Sequence, residues 1–217
     1  KILHLAQVDG LTGLANRSHF HSQLHQACAL AETTGGPLHL IYIDLDRFKP
    51  INDAFGHDAG NVVLGEFGQR LLALAPPQTC VGRLGGDEFA VQCAGCSGTD
   101  IAALVKQIEQ AARTPFLYEG IELTVSASIG VSAFAECGRN SPALLQIADA
   151  AMYRVKNNGG NGIGFAFLSS PNALAQQQSA IAQRLTIETD LHHALEQNSF
   201  FLVYQPIVDM RTRQLHS

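Results

Sequence analysis

The apolar positions along the chain change period several times, and each change marks an element. From Ser18 to about Thr34 the spacing is helical, with Ser18 as the expected N-cap and Gly35-Gly36-Pro37 as the stop. "LHLIYIDL" (Leu38 to Leu45) is a short, β-branched apolar run and predicts a strand buried on at least one face. Between Ala59 and Leu74 the helical spacing returns: Val63, Leu64, Phe67, Leu71 and Leu74 share a face, and Pro76-Pro77 ends it. Two short apolar runs, Cys80 to Leu84 and Phe89 to Cys93, flank Gly85-Gly86 and predict a hairpin. A helix from about Asp100 to Arg113 follows, then a strand near Leu123 to Phe134. Leu144, Ala148, Ala151, Met152 and Val155 recur as one helical face, Gly159-Gly160 caps it, and Ile163 to Leu168 predicts a closing strand.

This order implies an α/β (α+β) fold: a central mixed, mostly antiparallel sheet of about five strands, flanked by helices. After Ser169-Ser170-Pro171 the composition shifts. A glutamine-rich stretch from Ala173 to Gln197 reads as a linker helix, with Ile181, Leu185, Leu191 and Leu195 as its apolar positions. "FFLVYQPIVDM" (Phe200 to Met210) predicts a strand that cannot be stable alone. The expected division is therefore a first domain over 1–168, a linker and helix over 169–198, and the truncated start of another domain over 199–217.

Composition narrows the class. Across 217 residues, 46% hydrophobic and 15% charged content describes a globular chain, and no apolar run is long enough to span a bilayer. A net charge of -5 argues against a nucleic-acid polymer as partner, since that surface should be basic. Five scattered cysteines suit reduced thiols in the cytoplasm. Cys93 and Cys96 form one C-x-x-C, but no second pair or spaced histidines accompany it, so no zinc site is expected. The chain starts at Lys1 without a signal-peptide pattern and reads as a piece of a longer protein, whose upstream sensor or inner-membrane anchor would lie outside it.

The chemistry concentrates in acids. Asp44 and Asp46 end the first strand, and Asp87 and Glu88 sit at the hairpin tip. If the hairpin neighbours that strand, carboxylates meet at one sheet edge, which suits a hard cation such as Mg²⁺ with phosphate oxygens completing its shell. Gly85 and Gly86 would let a phosphate or base approach the backbone, and Lys49 and Lys156 would supply positive charge. A hairpin with an acidic tip and solvated lysines is the alternative reading. Asp46 reads as a turn cap rather than a metal ligand, and Asp53 and Asp58 as helix-start residues. Asp9 and Arg17 read as a structural pair; Arg83 suits either a phosphate or a neighbouring acid.

Five motifs in order decide between these. "DGLTGLANR" (Asp9 to Arg17), "IDLDRFKPINDAFGHDAGN" (Ile43 to Asn61), "RLGGDEF" (Arg83 to Phe89), "SASIGVS" (Ser126 to Ser132) and "ADAAMYRVKNNGGN" (Ala148 to Asn161) together resemble the GGDEF family of diguanylate cyclases. The tail "FFLVYQPIVDM" resembles the first strand of an EAL phosphodiesterase domain, and stops before that domain's signature. The resemblance implies a palm-like, nucleotide-cyclase-like sheet that joins two GTP molecules into cyclic di-GMP across a homodimer. Carried onto this chain, Asp44, Asp87 and the Leu45 carbonyl would hold Mg²⁺ or Mn²⁺; Glu88 and Asp87 would be the catalytic residues, Glu88 by helping to deprotonate the attacking hydroxyl and Asp87 through the metal. Lys49 and Lys156 would hold phosphates, Asn52 would read guanine, and Gly85 and Gly86 would admit the nucleotide, with Arg83 nearby.

Three positions depart from the family pattern. Asn61 stands where a guanine-binding aspartate is usual, Gly160 where a phosphate-binding arginine is usual, and Pro76-Pro77-Gln78-Thr79 where the product-inhibition motif is usual. Product feedback through that motif is expected to be absent, and GTP affinity to be lowered. Three functions follow from these residues: a working cyclase, a GTP-binding regulatory domain that tunes an attached EAL phosphodiesterase, or a dimerisation platform.

Overall fold

The run Leu38 to Leu45 becomes the middle of the sheet. The computed structural model describes residues 7–166 and two short strand pieces further on. Its elements are β1 (Ala15–Asn16), α1 (Arg17–Thr34), β2 (Leu38–Asp46), α2 (Phe48–Leu74), β3 (Thr79–Gly85) and β4 (Glu88–Ala94). They continue with α3 (Gly98–Arg113), β5 (Phe116–Tyr118), β6 (Ile121–Leu123), β7 (Ser126–Ala133), α4 (Ser141–Asn157) and β8 (Gly162–Phe165). Six strands form one sheet in the order β1-β3-β4-β2-β7-β8. The inner pairings β3/β4, β4/β2 and β2/β7 are antiparallel, while β1/β3 and β7/β8 at the edges are parallel. The sheet is mixed and mostly antiparallel as expected, with one strand more than the pattern suggested.

Because β2 is central, its two faces are both covered. Ile41, Ile43 and Leu45 point into a core that includes Val63 and Phe67 of α2 and Val105 and Ile108 of α3. Leu40 and Tyr42 point into a second core with Phe20 and Leu24 of α1 and Leu144 and Ala148 of α4. Phe67 and Phe89 meet edge to face at 5.1 Å, which fixes α2 against the hairpin strand β4. On the opposite face Gly130 allows α4 to lie close, because a Cβ there would run into the Ala148 carbonyl and the Met152 amide.

Several boundaries differ from expectation for local reasons. Asn16, not Ser18, caps α1: its side chain accepts from the His19 amide at 3.0 Å. The second helix begins at Phe48 rather than Ala59, and Gly56 interrupts it with φ 83 and ψ 169. Asp53 therefore lies inside the helix, and Asp58 follows the break. The expected strand from Leu123 is β7, starting at Ser126, because Leu123 belongs to the small β5–β6 hairpin.

The chain divides into two compact units, Lys1–Leu168 and Ser169–Ser217. In the second, Ile207–Val208 (β9) and Leu215–His216 (β10) pair antiparallel. The expected helix from Ala173 to Gln197 and most of the Phe200 to Met210 strand lie outside the described residues. Among the described residues no helix is long and apolar enough to cross a membrane.

Candidate active site

The register of the central strands brings the acids together. Asp44 of β2 pairs with Glu88 of β4 on one side and with Ser128 of β7 on the other, so all three side chains leave the same face. At the hairpin tip the Leu45 amide donates to the Asp87 carbonyl at 3.2 Å, which holds the tip against the end of β2. Gly85 and Gly86 have φ 150 and 50, and a Cβ at either would meet nothing within 4 Å. Backbone conformation, not crowding, demands these glycines, and the surface over them is open.

Arg83 braces this tip. Its Nε and Nη2 donate to the Gly86 carbonyl at 3.0 and 2.7 Å, and its Nη1 reaches Asp9 at 3.2 Å. Of the two partners considered for Arg83, the structure provides the acid. It also revises the expected Asp9–Arg17 pair: Asp9 binds Thr12 and Arg83, while Arg17 lies 3.9 Å from Glu88.

Lys156, near the C-terminal end of α4, donates to Asp44 Oδ1 at 2.7 Å. Asp44 is 5% exposed. Burial lifts its pKa to about 6, the charges of Asp87 and Asp46 push the same way, and Lys156 opposes them. Against the desolvation that lowers it, the Lys156 pKa is raised by Asp44, with Asp87 and Asp46 adding to the effect.

Glu88 faces a different corner. Tyr42 lies diagonally across the β2–β4 pair, its phenol pushed far up by burial and further by the charges of Glu88 and Asp149. Desolvation and the Glu88 charge likewise raise Asp149. The Arg17 guanidinium is the nearby cation. Sequence reasoning overlooked Tyr42, Asp149 and Arg17 as neighbours of Glu88; the period-2 alternation placing Tyr42 and Asp44 on one face was the available signal.

Asp46 does not cap the turn after β2. Its carboxylate accepts from Ser128 Oγ at 2.6 Å, Ser126 Oγ at 2.8 Å and the Asn161 amide at 2.8 Å. Arg47 takes a left-handed conformation (φ 57) at this point and lets α2 start immediately. That start ties the other candidates to the same strand end. Lys49 is exposed in the first turn, Asn52 is half-buried, and Asn61 is exposed beyond the Gly56 break. Gly60 leaves the space that the Asn52 side chain occupies, since a Cβ there would collide with Asn52 Oδ1.

The donors near Asp44 are carboxylate and carbonyl oxygens, the set a Mg²⁺ or Mn²⁺ ion takes. Among the described residues no three His, Cys, Asp or Glu side chains converge to hold a metal by themselves. Such an ion would complete its shell with water or with a ligand's oxygens. All five cysteines are free thiols.

A family model for "Diguanylate cyclase, GGDEF domain" matches residues 6–162. The chain belongs to the GGDEF family. GGDEF relatives include the bifunctional diguanylate cyclase/cyclic di-GMP phosphodiesterase MucR of Pseudomonas aeruginosa, 37% identical over 96% of this chain. The cyclic di-GMP phosphodiesterase PdeR of Escherichia coli is 32% identical over 95% of it. The chain spans 29% of the length of MucR and 30% of PdeR. Among solved structures, the GGDEF domain of TpbB from Pseudomonas aeruginosa superposes with a TM-score of 0.73 at 36% identity, covering 77% of this chain and 99% of that one. The coiled coil and GGDEF domain of DgcB from Caulobacter crescentus, in complex with c-di-GMP, gives 0.71 at 29% identity, covering 76% of this chain and 88% of that one.

Proposed function

We propose that this GGDEF domain condenses two GTP molecules into cyclic di-GMP, each GTP held by one domain of a facing homodimer. The observation that carries the reading is the convergence of Asp44, the Asp87 tip and Lys156 at one end of the inner strands. Asp44, Asp87 and the Leu45 carbonyl would hold Mg²⁺ or Mn²⁺, which supplies charge neutralisation at the phosphates and acidifies a nearby hydroxyl. Lys49 and Lys156 carry charge to the phosphates, Asn52 and Asn61 face the base, and the open surface over Gly85 and Gly86 receives the nucleotide. The 3′-oxygen of one GTP forms a bond to the α-phosphorus of the other. The bond from that phosphorus to the bridging oxygen breaks, and pyrophosphate leaves with its electron pair. Glu88 takes the hydroxyl proton, oriented by Arg17 and Tyr42. The second bond forms the same way with the roles exchanged.

A second reading is a regulatory GTP-binding domain that controls an attached EAL phosphodiesterase. The exposed Asn61 and the Gly160 turn favour it, since both replace groups that strengthen nucleotide binding in the family. In either reading the domain sits in a longer signalling protein with an upstream sensor, on the cytoplasmic side of the membrane. The chain division at about residue 168 is taken as the end of the GGDEF domain, with 169–198 a connecting helix and 199–217 the start of the EAL domain.

Incubation with GTP and Mg²⁺, followed by chromatography, tests the proposal. Cyclic di-GMP that disappears in Asp87→Ala supports the cyclase; GTP binding without product at high protein concentration leaves the regulatory reading. In a chain that is mostly monomeric, activity should rise more steeply than linearly with concentration.

A further inference from the structure

Asp46 lies two residues from Asp44 on the same strand and the same face, yet its environment is different. Its three donors come from 80, 82 and 115 residues away: Ser126 Oγ and Ser128 Oγ of β7, and the Asn161 backbone amide. The carboxylate is 7% exposed. A carboxylate so supplied has little reason to exchange its donors for a cation or to face a phosphate.

The Asn161 end of this arrangement is the informative one. Gly159, Gly160 and Asn161 follow one another with φ 106, 72 and 57, a sharp left-handed turn between α4 and β8. A non-glycine residue in that conformation is held there by its surroundings. The Asn161 amide is fixed by Asp46, its side-chain Oδ1 accepts from Arg113 Nε at 2.9 Å, and the Gly160 amide donates to the Val155 carbonyl at 3.0 Å. The turn and the Asp46 carboxylate are also in contact: a Cβ at Gly160 would sit 2.8 to 3.0 Å from it. Lys156 lies at the C-terminal end of the helix that feeds this turn.

We infer that Asp46 is a positioning residue: through Asn161 it bolts the α4–β8 turn to the strand that carries Asp44, and so sets where Lys156 stands relative to the acidic tip. This rests on the proposed cyclase or GTP-binding reading for what Lys156 does, but not for the bolt itself. Asparagine can retain the arrangement. Its Oδ1 accepts from Ser126 and the Asn161 amide, while its Nδ2 donates to Ser128 Oγ, which can accept. Alanine cannot.

The test compares Asp46→Ala with Asp46→Asn by three measurements: amide hydrogen exchange at Gly160 and Asn161, KM and kcat for GTP, and Mn²⁺ binding without nucleotide. Expected for Asp46→Ala is faster exchange at Asn161 and a KM raised by about tenfold or more, because the phosphate lysine is displaced. Mn²⁺ affinity should not fall, and Asp46→Asn should restore both exchange protection and KM. An Asn variant as damaged as the Ala variant, or a loss of Mn²⁺ affinity in both, would assign Asp46 a charge or ligand role and overturn the inference. Unchanged Asn161 exchange in Asp46→Ala would also overturn it, as would faster exchange with an unchanged KM. If Asp46→Ala does not fold, Ser126→Ala/Ser128→Ala weakens the same anchor and should move exchange and KM in the same direction. If the wild-type chain neither binds GTP nor makes product, the functional reading fails and hydrogen exchange alone decides the bolt.

Discussion

Lys156 Nζ stands 2.7 Å from Asp44 Oδ1, across 112 residues of sequence. The lysine proposed to hold phosphate thus rests against the carboxylate proposed to hold the cation. A cation arriving alone must displace that ammonium, whereas one arriving with a nucleotide brings phosphates to receive it. Lys156→Met should therefore strengthen Mn²⁺ binding in the absence of nucleotide, by about two- to fivefold, because the lysine of the pair is half-exposed and partly screened while the carboxylate is buried. GTP binding should weaken in the same variant. Titration by electron paramagnetic resonance reads the first effect and calorimetry the second; weaker Mn²⁺ binding in the variant would contradict the displacement.

Asn61 is exposed, next to the glycine that makes room for Asn52. Restoring a carboxylate there adds a charge-assisted acceptor for guanine without disturbing the core. Asn61→Asp should tighten GTP binding by roughly ten- to a hundredfold. The comparison with ATP, whose base offers no matching donors, separates base reading from general charge effects.

Gly160 is a harder position to restore. Its φ of 72 and the Asp46 carboxylate 2.8 Å from a would-be Cβ both oppose a side chain. Gly160→Ala should cost about 1–2 kcal/mol of stability from backbone conformation alone. Gly160→Arg should show the same drop in Tm while gaining phosphate charge. A Gly160→Ala variant as stable as the parent would mean that the turn relaxes more freely than its hydrogen bonds indicate.

Asp9 sets an acid limit. Although partial burial opposes it, hydrogen bonds from Thr12 and the Arg83 guanidinium hold its pKa below the ordinary 3.8. Between the folded pKa and 3.8 the unfolded chain binds more protons than the fold. The Asp9 contribution is therefore whole above about 3.8 and is lost as pH falls through the folded value. Thermal melts should show Asp9→Asn losing stability mainly at neutral pH and converging with the parent in strong acid.

The parts of the site legible in sequence are those written in local pattern. The glycine pair between two apolar runs announced the hairpin, and the β-branched run announced β2. What escaped depends on distant partners or very short elements. Two residues, Ala15 and Asn16, cannot display a period, so β1 was invisible. The polar stretch around Gly56 hid the start of α2 at Phe48. Asp9 and Arg17, close in sequence, looked like partners, but the sheet gives Asp9 to Arg83 and Arg17 to Glu88. The donors to Asp46 lie on strands whose neighbourhood only the register of β2 and β7 establishes.

The strand order has a consequence for synthesis. β2 is made early, but it lies between β4 and β7, and Lys156 follows Asp44 by 112 residues. At about 5–20 residues per second, translation leaves the Asp44 carboxylate without its lysine for on the order of ten seconds. For most of that interval the central strand lacks its β7 neighbour, and until its end it lacks α4, which shares the cover of its second face with α1. A ribosome-bound chain ending before α4 would therefore carry both acids of the tip in an open, association-prone sheet, and α4, the last of the described helices to be made, would complete the cover of the central strand.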